Sequence, residues 1–403
     1  MSKNNDDFFD VKKDWSKIKD SLLDGYLPEY FSKVLWTKKG IVYVDCFSGM
    51  GKFKSGEDGS PRMALKRGLE SITKSRSQNK NIEFYFIEKK YATELEENIS
   101  DIKNNLNIRI LNGKYEEKID TILNSSAGKN VFLYIDPYGV KTLDFSFLKK
   151  LAQIKSVEFL LNLNSFGFLR AGFSALNISE FEFLFNDDEL ISIEPIYSFE
   201  KGEDLALRLD AVAGGNYWRD IVIRCKNKEI TTKDAEKEFT QKYIDLLKQY
   251  FKYVLNMPIK LKPTSQPKYR MIHVSNHQDG CYLMAENISR QKDKLFVDIQ
   301  GKGQLSLFDE TIENEYINTT EIKEKILQFL DKDYYITSFI ADFFNYHGML
   351  CKVTDLRNAL KELEEQKKII VTRMPSVTIK TKKPTTFWDE KDGQSVKISK
   401  VSK

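Results

Sequence analysis

A chain of 403 residues and 46.9 kDa is too long for one ordinary core, so one large domain and one small one are expected. Hydrophobic residues at 41%, with 27 Phe and 19 Tyr, supply enough apolar surface to exclude a disordered chain, and no apolar run approaches bilayer length, so no membrane partner is expected. The net charge of +4 is carried by the tail, where from Ser376 to Lys403 seven lysines face Asp389, Glu390 and Asp392.

The first ten residues are polar, with no basic stretch leading into an apolar one, which predicts a soluble, cytoplasmic protein. Residues 15–35 space their apolar positions helically, and Gly25 and Pro28 predict a break into two short helices. Residues 1–36 are therefore expected to form an N-terminal helical lid or brace. Strand and helix signals then alternate: IVYVDCF (41–47), a helix from Ser60, IEFYFIE (82–88), a helix from Tyr91, IRIL (108–111), a helix from Tyr115, VFLYID (131–136), a helix from Ser146 and VEFLLNLN (157–164). Strands apolar at nearly every position and separated by helices predict a doubly wound α/β domain with a parallel sheet covered on both faces.

From 166 to 233 the pattern loosens into a predicted helical insertion. A long helix is expected over Asp234 to Leu255, then a closing antiparallel hairpin of YRMIHVS (269–275) and CYLM (281–284). A sheet ending in such a hairpin is typical of class I methyltransferases. This assigns 37–300 to the Rossmann-like domain and 301–318 to a linker, within a polar stretch over 291–318. Helical patterns over Glu321–Leu330, Ile336–Tyr346 and Thr354–Glu365, followed by β-like runs Ile369–Arg373 and Val377–Lys380, predict a winged-helix-like domain over 319–383. Its third helix turns Leu356, Leu360 and Leu363 inward and leaves Arg357, Lys361, Glu362, Glu364 and Glu365 outside. That mixed face fits protein docking as well as DNA recognition. Residues 384–403 are expected to be a basic, flexible tail.

The four cysteines, Cys46, Cys225, Cys281 and Cys351, are scattered, which indicates neither a zinc knuckle, an iron–sulfur cluster nor a disulfide framework. His273 and His277 read as incidental polar residues near a hairpin, so no metal is expected.

The chemistry concentrates in VYVDCFSGMG, Val42 to Gly51. A buried strand ends at Asp45, and Gly49 and Gly51 let the backbone turn tightly against a ligand beside Phe47. A dinucleotide fingerprint would need a third glycine where Lys54 stands, and a Walker A loop would need Lys and Ser/Thr where Glu57 and Asp58 stand. S-adenosylmethionine carries no phosphate and is cationic at sulfur and nitrogen, so an acidic strand end suits it. Glu88, ending the second strand, is placed to accept from ribose hydroxyls, with a solvated glutamate as the competing reading. Asn112 and Gly113 offer a compact turn near the adenine.

The fourth strand ends in Asp136-Pro137-Tyr138-Gly139. Such a turn presents a carboxylate and a backbone carbonyl to the N–H groups of a target amine while the aromatic ring stacks on a base. It is also a common plain strand-to-helix turn. Asn162, Asn164 and Phe166 close the fifth strand and Arg170 follows, as substrate contacts or as polar caps. Gly59-Ser60-Pro61 reads as a helix start, with Ser60 as N-cap, and the loop from Lys52 to Asp58 is long enough to reach substrate.

These residues resemble the family of three-Cys-motif partner proteins. The matching pieces are Trp15-Ser16-Lys17, D-C-F-S-G-M-G at Asp45–Gly51, G-S-P at Gly59–Pro61, I-D-P-Y-G at Ile135–Gly139, the Gly214/Gly215/Trp218/Arg219 cluster and the closing region. The resemblance implies a Rossmann-like, S-adenosylmethionine-dependent methyltransferase and a partner protein bearing a radical-SAM-like cysteine motif. The D-P-Y-G turn is closer to the D-P-F-G turn of tRNA guanine dimethyltransferases than to the double-proline turn of DNA adenine methyltransferases. The expectation is methylation of a base amino group in tRNA, rRNA or DNA, with Asp136, Pro137 and Tyr138 at the target and Asp45, Phe47, Gly49, Gly51, Glu88, Asn112 and Gly113 at the cofactor. Substrate would be met by Asn162, Asn164 and Arg170 and by the basic Lys380, Lys382 and Lys383. The alternative is a non-catalytic adaptor that binds a nucleotide or S-adenosylmethionine and docks the partner or DNA.

Overall fold

A computed structural model describes residues 12–77, 81–103, 106–140, 143–178, 202–260, 266–301, 316–378, 381–391 and 393–401. The chain divides into two compact units, Met1–Asn276 and His277–Lys403.

The first unit is built on seven strands: β1 (Ile41–Asp45), β2 (Ile82–Glu88), β3 (Asn107–Asn112), β4 (Asn130–Ile135), β5 (Val157–Leu163), β6 (Tyr253–Ile259) and β7 (Tyr269–Ser275). Their order is β3-β2-β1-β4-β5-β7-β6, parallel except that β7 runs antiparallel to both β5 and β6. The helices are α1 (Asp14–Val34), α2 (Ser60–Lys74), α3 (Ala92–Asn98), α4 (Tyr115–Ser125), α5 (Phe145–Leu151), α6 (Ser165–Ala175), α7 (Glu203–Ala213), α8 (Tyr217–Lys226) and α9 (Thr232–Lys248). The mixed α/β architecture agrees with the expected Rossmann-like sheet.

Apart from the edge strand β3, whose residues are exposed or half-buried, the strands are largely buried on both faces and alternate side chains between two cores. From β1, Val42 and Val44 join Val131, Leu133, Phe159 and the helical residues Ile119 and Leu148. Tyr43 faces the other way and stacks on Phe132 (centroids 5.9 Å apart), with Phe31 of α1 edge-on. On this second side Tyr26 of α1 and His273 of β7 both meet the buried Glu158 of β5, which also accepts from Ser275 at 3.0 Å.

Several expectations are corrected. Residues 14–34 form one helix with Pro28 inside it, because Leu22, Leu23, Tyr26, Leu27, Tyr30 and Phe31 are all buried along one side and their burial outweighs the missing N–H. The helix expected to reach Leu255 ends at Lys248, and the apolar run after it becomes β6. The closing hairpin is therefore β6–β7, and Cys281–Met284 belongs to α10 (Gln278–Gly301) in the second unit. There Cys281, Met284, Ala285 and Ile288 are buried at helical spacing. The helix takes up 291–300 of the polar stretch and only Gly301 of the expected linker, and 302–315 lies outside the described residues. The expected insertion contains α6, α7 and α8, with 179–201 outside the described residues.

The second unit continues with α11 (Thr319–Phe329), β8 (Tyr334–Tyr335), α12 (Ile336–His347), α13 (Val353–Glu365), β9 (Ile369–Met374) and β10 (Ser395–Lys400). Of the run Val377–Lys380, expected to form a ribbon with β9, 379–380 lies outside the described residues, and Val377 bridges Pro384. Instead β10 pairs antiparallel with both β9 and β8 and is the middle strand of the sheet. The tail expected to be flexible thus supplies a core strand, with Val396 and Ile398 fully buried. No helix among the described residues is long and apolar enough to cross a membrane.

Candidate functional site

The strand order reverses between β1 and β4, and ligands in open α/β sheets bind beyond the carboxyl ends of strands at such a point. A cavity of about 810 Å³ opens there, lined by residues that follow β1, β2, β3, β4 and β5 and by the start of α1.

The loop after β1 is held from two sides. Gly49 and Gly51 have φ of 61° and 74°, a left-handed backbone that suits glycine. A Cβ on Gly51 would also come within 2.7 Å of Leu95. The Gly49 amide donates to Glu88 Oε2 at 2.7 Å, while Glu88 Oε1 accepts from the Lys90 and Tyr91 amides at 2.8 and 3.2 Å. From below, Asp45 is completely buried, accepting from the Phe47 amide (3.2 Å) and from the Ser60 hydroxyl (2.7 Å). Burial pushes its carboxyl up to about 7, against the lowering effect of those two bonds. Burial likewise raises the Cys46 thiol, which keeps it from serving as a thiolate nucleophile.

Lys52 and Asp58 bridge across the following loop, and the Phe53 amide bonds to the Glu57 carbonyl, so this segment is a closed small hairpin. The N-cap of α2 is Gly59, not Ser60, whose hydroxyl is committed to Asp45.

The turn after β4 faces the same cavity. Asp136 Oδ1 accepts from Asn162 Nδ2 at 2.6 Å and from Lys19 Nζ at 3.0 Å. Its Oδ2 accepts from Lys19 Nζ at 2.8 Å and from the Tyr134 hydroxyl at 3.4 Å. Tyr138 is 54% exposed. Asn164 lines the cavity while its side chain caps α6 through the Gly167 amide, 2.8 Å away.

Of the residues expected at the site, Phe47, Gly49, Gly51, Glu88, Gly113, Asp136, Pro137, Tyr138, Asn162 and Asn164 line this one cavity. Asp45 supports it from beneath. Asn112 is exposed at the end of β3 and Arg170 is half-buried on α6, and neither lines it. Lys382 and Lys383 are exposed in the second unit, and Lys380 lies outside the described residues.

Sequence reasoning expected a lid or brace over residues 1–36 but named as site residues none of the α1 side chains that line the cavity. Trp15, Ser16, Lys19 and Asp20 line the cavity, Lys19 lies 5.0 Å from the Tyr269 ring, and Asp20 pairs with Lys12 at 2.6 Å. Burial raises Asp20 to about 6, opposed by the nearby Lys12. The signal was a stripe: Lys12, Ser16 and Lys19 fall at the helical spacing that continues into Leu23, Tyr26 and Tyr30, and all are buried. A polar start to a buried stripe marks the part of a helix that covers a cavity instead of a core. Tyr115, Arg208 and Tyr269, from three separate segments, also line it. No model of a known protein family matches the chain, and no curated protein matches it.

Proposed function

We propose that the protein is an S-adenosylmethionine-dependent methyltransferase acting on a base amino group of a nucleic acid, a relative of the three-Cys-motif partner proteins. The observation that carries this reading is the convergence, in one cavity at the strand-order reversal, of the glycine loop, Glu88 and the Asp136–Gly139 turn. The antiparallel β7 between β5 and β6 supports a methyltransferase-type sheet.

The residues present suit the cofactor. A carboxylate has about four acceptor positions, and Glu88 uses three of them on backbone amides, which leaves one for a ribose hydroxyl. Phe47 and Tyr115, with ring centroids 5.1 Å apart, and Gly113 provide an apolar edge for adenine. Phosphate is disfavoured, because the hairpin over 52–58 separates the glycines from α2 and a buried carboxylate underlies the loop. When bound, S-adenosylmethionine supplies an electrophilic methyl group, so the protein's task is to hold a target amine in line. Asp136 and the Pro137 carbonyl would take the amine hydrogens and Tyr138 would stack on the base. Exposed Lys52, Lys89, Lys90, Lys114 and Arg208 around the cavity favour a polyanionic target.

In the second unit, the succession helix, short strand, two helices and antiparallel ribbon supports a winged-helix-like reading. Three of the outer charges of α13 are spent internally: Arg357 on Asp389 (2.8 Å) and Tyr282, Glu364 on Arg373 (2.6 Å), Glu362 on Lys323. That favours protein docking, and so the three-Cys partner, over DNA reading. Calorimetric titration with S-adenosylmethionine, ATP and NAD, followed by labelled-methyl transfer to total tRNA, rRNA and DNA, tests the proposal. Binding of ATP without binding of S-adenosylmethionine would overturn it.

A further inference from the structure

Asp136, the group assigned to the target amine, is already fully used. Its two oxygens receive four contacts, from Lys19 twice, Asn162 and Tyr134, against about four acceptor positions on a carboxylate. Accepting a target N–H therefore requires one of these contacts to be given up, and Lys19 alone makes two of them. Asn162 is held in place: it is 3% exposed, and its Oδ1 is buried with no hydrogen-bond partner, so withdrawing Nδ2 would strand the whole amide. Tyr134 belongs to the core of β4 and is 1% exposed. Lys19 lies at the end of a long side chain that lines the cavity, and it is the donor able to move.

Moving it has an electrostatic consequence. The Lys19 ammonium has a side-chain exposure of only 8%, and a neutral base amine arriving at Asp136 brings no charge to replace what the ammonium loses. Asp20, the nearby carboxylate of α1, is already paired with Lys12. An anion arriving with the target would make up that loss.

The geometry points to Lys19 as a ligand for a phosphate of the target: as the amine takes Asp136, the ammonium passes to a phosphate on the same nucleotide, so the site selects phosphorylated nucleotides over nucleosides and free bases. This inference rests on the base-amine reading above. Lys19 becomes a specificity residue of α1, and the ion pair of the free protein holds the two halves of the recognition set together until the target separates them.

The test uses the full-length protein saturated with S-adenosylhomocysteine and titrated with the 5′-monophosphates of adenosine, guanosine and cytidine and with the three parent nucleosides. For at least one base, the wild type should favour the monophosphate by about tenfold, the scale of one charge-assisted contact. Lys19→Met, which keeps the aliphatic stem, should bring that ratio close to one, and Lys19→Arg should largely restore it. Equal ratios in wild type and Lys19→Met, as when the ammonium merely turns to Asp20, would overturn the inference, as would a failure of all six probes to bind. Labelled-methyl transfer to nucleic acid separates the two levels. Transfer that persists while the nucleotide arm fails leaves the methyltransferase reading standing, whereas loss of both removes both.

Discussion

Asp45 shows how a residue can be essential to a site without touching a ligand. Its carboxylate ties the Phe47 amide and the Ser60 hydroxyl together under the glycine loop. Asp45→Ala should loosen that loop and weaken cofactor binding, leaving a part-buried amide and hydroxyl without their acceptor at a cost of about 1 kcal/mol. Asp45→Asn retains an acceptor for Phe47 and a donor for Ser60, and should bind S-adenosylmethionine within a few-fold of wild type. The pH dependence has a definite sign. The folded carboxyl titrates near 7 and the unfolded one near 3.8, so its stabilising contribution is full below 3.8 and is lost as pH rises through 7. Urea unfolding should therefore show Asp45→Asn gaining on wild type more at pH 8 than at pH 5. An advantage independent of pH would mean that Asp45 is not the titrating group.

Asp136 is the contrasting case, a carboxylate on the cavity wall whose side chain is 24% exposed. Asp136→Ala should lower the methyl-transfer rate by about 2–4 kcal/mol of transition-state stabilisation, with the Kd for S-adenosylmethionine within a few-fold of wild type. Asp136→Asn should retain part of the rate, since an acceptor oxygen remains, but no longer balances the Lys19 charge. An alanine variant unable to bind cofactor would make Asp136 a cofactor ligand and shift the target-reading role to Asn162.

Among the elements, what was legible in the sequence followed local pattern. Strands β1, β2, β4 and β5 are apolar at most positions and β3 carries a short apolar run, and all end in recognisable turns, so their succession along the chain and their carboxyl-end residues were readable. The misread elements depend on partners far away in the chain. Pro28 argued for a break that burial of one face of α1 overrides. CYLM looked strand-like over four residues, and only the spacing out to Ile288 reveals a helix. Strand β10 was hidden in a lysine-rich tail because SVKISK offers only two apolar residues, Val396 and Ile398, among serines and lysines, and its need for burial is set by β8 and β9. This last element carries its own prediction. Ile398→Ala should destabilise the second unit by about 2–4 kcal/mol, detected as lost hydrogen-exchange protection across β9 and α12. Unchanged protection would return 395–400 to a solvated tail.

At the scale of the whole molecule, the question is where a polyanion is met. Net positive charge in the sequence falls after Ser376, but the fold spends part of it: Lys397 pairs with Asp333 at 2.6 Å, and Lys400 donates to the Leu327 carbonyl at 3.0 Å. Deleting the tail would remove a sheet strand along with its charges and so would not isolate electrostatics. Around the cavity, by contrast, Lys52, Lys89 and Lys90 are exposed on two loops, and the partially exposed Glu88 between them is engaged by backbone amides. Neutralising each lysine that touches a phosphate should reduce the slope of log affinity against log salt by about 0.7 for a single strand. The triple variant Lys52→Gln, Lys89→Gln, Lys90→Gln should therefore bind tRNA with a visibly flatter salt dependence and unchanged S-adenosylmethionine affinity. Lys382→Gln with Lys383→Gln should flatten it less, because those residues belong to the second unit and line no part of the cavity. The reverse ranking would move the polyanion contact to the second unit and leave the cavity for a small-molecule amine.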